Sequence, residues 1–139
     1  MKIKSYEQLC ENILLYNKFQ NEMRSNSKAY KSVNSMVKKL TNYILNIINS
    51  NELEAVKIID KLLSEYDIRL SSYGATWALH SNYKVNKAVE IMKVLAENTD
   101  YEQSRLSASI FLDVYNGKFG GWKRDGIFPD LNKYEKKSN

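Results

Sequence analysis

Asp67-Ile68-Arg69-Leu70-Ser71-Ser72-Tyr73-Gly74-Ala75-Thr76-Trp77-Ala78-Leu79-His80 is the stretch whose reading decides the fold. Asp67 suits an N-cap, because its carboxylate can accept from the free N–H groups of a first helical turn. Behind it Ile68, Ala75 and Leu79 fall on one stripe, and Leu70, Tyr73 and Trp77 on another. A helix apolar on two sides is sandwiched between neighbours.

The segments on either side have helical spacing too. A helix over about 52–64 carries Val56, Ile59, Leu62, Leu63 and Tyr66 as its stripe. One over about 84–98 turns Ala88, Ile91, Met92 and Leu95 inward. Asp100 caps a last helix, with Gln103 at the capping-box position, Leu106, Ile110 and Val114 as its stripe and Gly117 as its C-cap. Asp67 and Asp100 lie 33 residues apart, and Ile68-Arg69-Leu70-Ser71-Ser72 aligns with Ser104-Arg105-Leu106-Ser107-Ala108 at an offset of 36. A period in that range signals stacked helical hairpins with a shallow concave face.

Two helices precede the repeat. Ser5 and Gln8 form a capping box ahead of Leu9, Ile13, Tyr16 and Met23. Arg24 to Ser27 is a polar break. A second helix over 27–49 carries Val33, Val37, Leu40, Ile44 and Ile47, widened by Met36 and Ile48. The expected architecture is all-α: a right-handed stack of antiparallel hairpins, HEAT-like, of about six helices over 1–117, followed by an irregular tail over 118–139. That tail holds three of the five glycines and the single proline, is basic, and is expected to fray from Asn132 on. Its large apolar residues Phe119, Trp122, Ile127 and Phe128 either cap the stack or meet a partner, with Trp122 the natural anchor of the capping form.

Composition excludes several classes of protein. One cysteine, Cys10, permits neither an internal disulfide nor a cysteine zinc site, and His80 is the single histidine. No metal and no cofactor is expected. No stretch has 18 apolar residues and no signal-peptide pattern opens the chain, so the reading is cytoplasmic, with no membrane. The glycines do not form a phosphate loop, and scattered carboxylates in such hairpins cap helices, so no enzyme is expected. The net charge is +5, with the basic surplus in residues 1–50 and 118–139 and an acidic surplus between them.

Asp67-Ile68-Arg69, followed by small residues for close packing at Ser71, Ser72, Gly74 and Ala75, resembles the second helix of a HEAT repeat. More narrowly, residues from about Ser5 to Gly117 resemble a family of short bacterial HEAT-like domains of unknown function. The residues that carry the resemblance are Lys31 to Asn34, Leu62-Leu63, the aliphatic-Arg helix, Ala88 to Met92 and the closing Gly117. Ser72-Tyr73 stands where that pattern has Ala-Ala. Some members look like immunity proteins encoded beside bacterial toxins, which implies a protein partner, a toxin domain, held by occlusion.

The candidate partner-binding residues follow from helical spacing and the tail. Arg69, Tyr73, Thr76 and His80 share one side of their helix, with Trp77 adjacent; Arg105 and Ser109 hold the matching side of the last helix; Trp122 and Phe128 come from the tail. For Arg69 and Arg105 the preferred reading is a bridge between neighbouring repeats, through bonds to Asp67, Asp100 or carbonyl groups. Tyr73 and Trp77 fit core packing and partner contact equally. The expected function is a protein-binding module of immunity type, its acidic middle suiting a basic partner. The alternative is weak nucleic-acid binding through Lys28, Lys31, Lys38, Lys39, Lys123 and Arg124.

Overall fold

A computed structural model describes residues 2–22 and 27–137. Met23 and the polar break at 24–26 lie outside the described residues. The fold is all-helical: α1 (Tyr6–Glu22), α2 (Ser27–Ser50), α3 (Glu52–Leu63), α4 (Ile68–His80), α5 (Val85–Ala96) and α6 (Glu102–Tyr115), then two short 3-10 turns over Lys118–Gly120 and Asn132–Lys137. No strand occurs among the described residues, and no helix among them is long and apolar enough to cross a membrane.

Local chemistry sets the helix ends. The Gln8 N–H donates to Ser5 Oγ at 3.1 Å, and Gln8 Oε1 accepts from the Lys4 N–H at 2.7 Å, a capping box displaced by one residue. Asn51 Oδ1 accepts from the Glu54 N–H, and Asp67 Oδ1 from the Arg69 N–H at 2.9 Å. Glu52 and Glu54 in the first turn of α3, and Lys61 in its last, complement the helix dipole.

From α3 to α6 each helix packs on the next in chain order. The closest approach is at Gly74, where an added Cβ would lie 2.6 Å from Leu62 Cβ and 3.1 Å from the Leu63 nitrogen. Leu70, Ala75, Ala78 and Leu79 are buried on both sides of α4, as a sandwiched helix requires. The turn after α4 is tied down by Tyr83. Its ring is buried, and its hydroxyl donates to the Asp60 carboxylate of α3, which also meets Lys84 at 3.0 Å.

The first hairpin does not simply extend the stack. Besides pairing with α2, helix α1 packs on α4 and α6. Ser104 Oγ accepts from Asn17 Nδ2 at 3.1 Å and donates to Gln20 Oε1 at 2.9 Å. Asn21 Oδ1 accepts from the N–H groups of Gln103 and Ser104, at 3.0 and 3.4 Å.

Several sequence expectations are corrected here. Asp100 does not cap α6; Tyr101 holds the N-cap position without a side-chain bond, and Asn21 of α1 serves the free amides instead. On α6 the inward positions are Ser104 and Ala108, whereas Ile110 is 61% exposed. On α2 the buried line is Ala29, Val33, Met36, Leu40, Ile44 and Ile48, leaving Val37 exposed and Ile47 only half-buried. Tyr66 lies past the end of α3 and is fully exposed.

The tail folds back on the body, but of the four residues expected to cover it only Phe128 is buried, and Leu131 is the main anchor. Leu131 is fully buried and Phe128 nearly so, while Phe119 is 88% exposed and Trp122 half-buried. The Leu131 N–H donates to the Ser81 carbonyl at 2.7 Å, and Arg124 Nη1 to the His80 carbonyl at 3.2 Å. Instead of fraying, Asn132–Lys137 form a 3-10 helix, in which the Tyr134 hydroxyl donates to Glu52 Oε1 and Lys133 Nζ lies 3.0 Å from the same oxygen.

Substituting Gly74→Ala is expected to destabilise the fold by about 1–3 kcal/mol in urea unfolding. Overpacking against the stiff start of the Leu62 side chain outweighs the helix-propensity gain of roughly 1 kcal/mol. In the tail, Leu131→Ala is expected to cost about 2–4 kcal/mol and to open the tail to protease, because it empties a fully buried site. Phe119→Ala, on an exposed ring, is expected to stay within about 0.5 kcal/mol of the parent protein.

Candidate functional site

The concave side of α4 opens onto a cavity of about 600 Å³, the size of a site for a drug-sized molecule or a few side chains. Helix α4 supplies one wall with Arg69, Tyr73, Thr76, Trp77 and His80. These occur at successive turns, so the cavity follows the helix axis for roughly 16 Å at 1.5 Å per residue. Ser104, Ser107, Ala108 and Phe111 of α6 continue that wall. Tyr16, Asn17 and Gln20 of α1, with Val37, Lys38, Thr41 and Asn42 of α2, face it. Trp122, Asp125, Ile127 and Phe128 of the tail close the end nearest His80.

Aromatic contacts make the walls continuous. The rings of Tyr16 and Tyr73 meet edge-to-face at 5.2 Å, and Tyr73 meets Trp77 in the same way at 5.3 Å. At the other end His80 stacks on Phe128 at 5.8 Å and lies 6.0 Å from Trp122, which also packs on Phe111. Burial pushes the phenols of Tyr16 and Tyr73 upward, so both stay protonated donors at any ordinary pH. Neither hydroxyl has a hydrogen-bond partner among the described residues.

The charged groups divide between satisfied and free. Arg69 grips Asp67 with two bonds, Nε to Oδ1 at 3.0 Å and Nη2 to Oδ2 at 2.6 Å, and its guanidinium lies 5.5 Å from the centre of the Tyr101 ring. The hydrogen bonds from Arg69 hold the Asp67 carboxyl below the usual carboxylate range. Lys38 has no ion-pair or hydrogen-bond partner among the described residues. His80 Nδ1 is buried without a hydrogen bond, and Asp125 Oδ2, 3.7 Å away, is too distant to make one.

Seven of the nine residues singled out from sequence line this one cavity: Arg69, Tyr73, Thr76, Trp77, His80, Trp122 and Phe128. Arg105 and Ser109 do not, because the lining positions of α6 fall one residue earlier, at Ser104 and Ala108. Arg69 bonds to Asp67, but within the first turn of its own helix and not as a bridge between repeats, whereas Arg105 reaches no carboxylate among the described residues. The facing wall from α1 and α2 was missed. Asn17 carried a signal for it, since an amide follows Leu9 and Ile13 at spacing four, where an apolar residue belongs, and it is 6% exposed. The second face of α2 gave none, because Val37, Lys38, Thr41 and Asn42 have the composition of a solvated surface.

Five carboxylates of the middle segment are paired within the chain: Glu52 with Lys133, Asp60 with Lys84, Asp67 with Arg69, Glu90 with Lys93 and Asp113 with Lys118. Among the described residues, no group of three or more His, Cys, Asp or Glu side chains could hold a metal ion. In comparisons with known proteins, no family model, no curated protein and no solved structure matches the chain.

The Asp67–Arg69 pair gives a pH signature. The folded pKa of Asp67 lies below its unfolded value of about 3.9. Its contribution is therefore complete above that unfolded value and is lost as pH falls through the folded pKa. Thermal melts between about pH 5 and pH 2 are expected to show a shallower acid loss for Arg69→Met than for the parent protein.

Proposed function

We propose that the chain is a protein-binding module whose partner inserts an apolar anchor between α2 and α4. The observation that carries this reading is the 600 Å³ cavity walled by Tyr16, Tyr73, Trp77, Phe111, Trp122 and Phe128. Aromatic pockets of this kind supply much of the energy of a protein interface, because a fully desolvated anchor gains most from them. In this proposal the mechanism is occlusion without chemistry, and the chain is not an enzyme. The resemblance to short HEAT-like domains supports a toxin domain as the partner and an immunity-type inhibitor as the role. A reducing, cytoplasmic setting belongs to the same proposal and is supported by the lone, half-buried Cys10, whose thiol pKa burial pushes up.

The nucleic-acid alternative has weaker support. Of the six basic residues it would use, Lys39 donates to Asn12 Oδ1, and Arg124 is held by the His80 carbonyl and lies 3.9 Å from Asp130. These internal contacts subtract from the free charge a phosphate backbone would need.

Thr76 lies midway along the cavity wall and is half-buried, so Thr76→Trp is expected to fill the cavity with little disturbance of the core. Co-expression with the protein encoded in the adjacent reading frame is the test. Thr76→Trp is expected to lose protection against that protein and to weaken its binding at least about tenfold, the scale of one interface hot spot, at an unchanged melting temperature. Undiminished binding by a folded Thr76→Trp variant contradicts the proposal.

A further inference from the structure

The cavity is polarised along its length. Lys39, next to Lys38 on α2, bonds to Asn12 of α1, one helical turn before Tyr16, whose ring meets Tyr73. Lys38, Tyr16 and Tyr73 all line the cavity, where α2 comes alongside α1 and α1 meets α4. They bring to it an exposed, unpaired ammonium group and two hydroxyls, on half-buried rings, without hydrogen-bond partners among the described residues. An anionic acceptor in the cavity gains a charge-assisted hydrogen bond from the ammonium group and neutral ones from the hydroxyls. Nothing at this end offers a free negative charge, because Asp67 is already taken by Arg69. The remaining carboxylate in the lining, Asp125, sits at the opposite end beside His80 and repels an anion from there. The rest of the wall is apolar and aromatic: Trp77 and Phe111, with Trp122 and Phe128 toward the His80 end.

We infer that the cavity is selective for an apolar acid: an aromatic or aliphatic body lying along Phe111 and Trp122, with its carboxylate turned toward Lys38, Tyr16 and Tyr73. This rests on reading the cavity as the binding site and adds the charge and orientation of what enters it. The carboxylate accepts from the Lys38 ammonium group and from the phenols, which remain protonated donors. A free small-molecule acid and the carboxylate of an inserted partner segment share this chemistry.

The chain has two tryptophans, Trp77 and Trp122, and both line the cavity, so their emission reports on this site alone. The test titrates the intact protein at pH 7 with 1-naphthaleneacetate, its neutral amide and the cation 1-naphthylmethylammonium, which share one ring system. The acid is expected to bind roughly tenfold more tightly than the amide, the value of one charge-assisted hydrogen bond, and the cation more weakly than either. Lys38→Met, on an exposed site, is expected to abolish the preference, and Lys38→Arg to keep it. Tyr73→Phe is expected to weaken the acid but not the amide. The tripeptide Gly-Gly-Phe, with a free or an amidated C-terminus, separates the sources. Acid-selective binding of the tripeptide points to a partner segment; acid-selective binding of naphthaleneacetate alone points to a free small molecule. Equal binding of acid, amide and cation overturns the inference while leaving the cavity a binding site. No response to any probe at millimolar concentration also overturns it, and the partner-binding reading is then judged separately by Thr76→Trp.

Discussion

A hydroxyl on α6 and three amides on α1 hold the molecule in its particular shape. Ser104 Oγ sits between Asn17 and Gln20, and Asn21 extends the cluster by accepting from the first free amides of α6. Each contact joins positions more than 80 residues apart in the chain. Hydrogen bonds of this kind contribute about 1 kcal/mol each, and an unsatisfied buried amide costs more than that. The cluster therefore acts chiefly as a filter: the amides of α1 find partners only when α1 lies across the ends of α4 and α6.

That placement changes what the stack can do. A plain series of hairpins leaves a shallow groove along its second helices. Here α1 and α2 stand over the groove from one side, and the tail closes it at the His80 end through Phe128, Leu131 and the bond from Leu131 to Ser81. A surface that would have suited a broad, flat contact becomes a half-open cavity. The partly buried positions of Phe111 and Trp122 follow from this, since each packs on the body with one part and lines the cavity with another. Gly74 sets the other boundary. Its close approach to Leu62 binds α4 tightly to α3, so the cavity opens on the α2 side of α4.

Much of this was legible in the sequence, and the failures have physical reasons. Helix existence followed from caps and stripes, and α4 was recognisable as a helix with two buried sides because apolar and small residues alternate around it. Periodicity finds an apolar face but does not say which neighbour covers it. On α6, Leu106, Ile110 and Val114 form a regular stripe, yet the covered side is that of Ser104 and Ala108, because α1 brings polar groups to meet Ser104. Asp100 looked like a cap because caps are ordinarily local; Asn21 reaches the same amides from another helix. Leu131 was hidden because a single leucine in a polar segment has no periodicity, and its burial depends on the Ser81 carbonyl being available to its N–H. The α4 and tail lining of the cavity was found from spacing and ring chemistry, whereas the α1 and α2 lining depends on long-range docking that no local pattern encodes.

The docking of α1 can be read at two amides. Gln103 and Ser104 occupy the second and third positions of α6, where a helix has no acceptor of its own and exchange with solvent is normally fast. With Asn21 accepting from both, hydrogen exchange of the intact protein is expected to show these two N–H groups slowed to rates comparable with the interior of α6, and released in Asn21→Ala. Exchange at Gln103 and Ser104 as fast as in an uncapped helix end, unchanged by Asn21→Ala, would contradict the docking of α1 and with it the two-sided cavity.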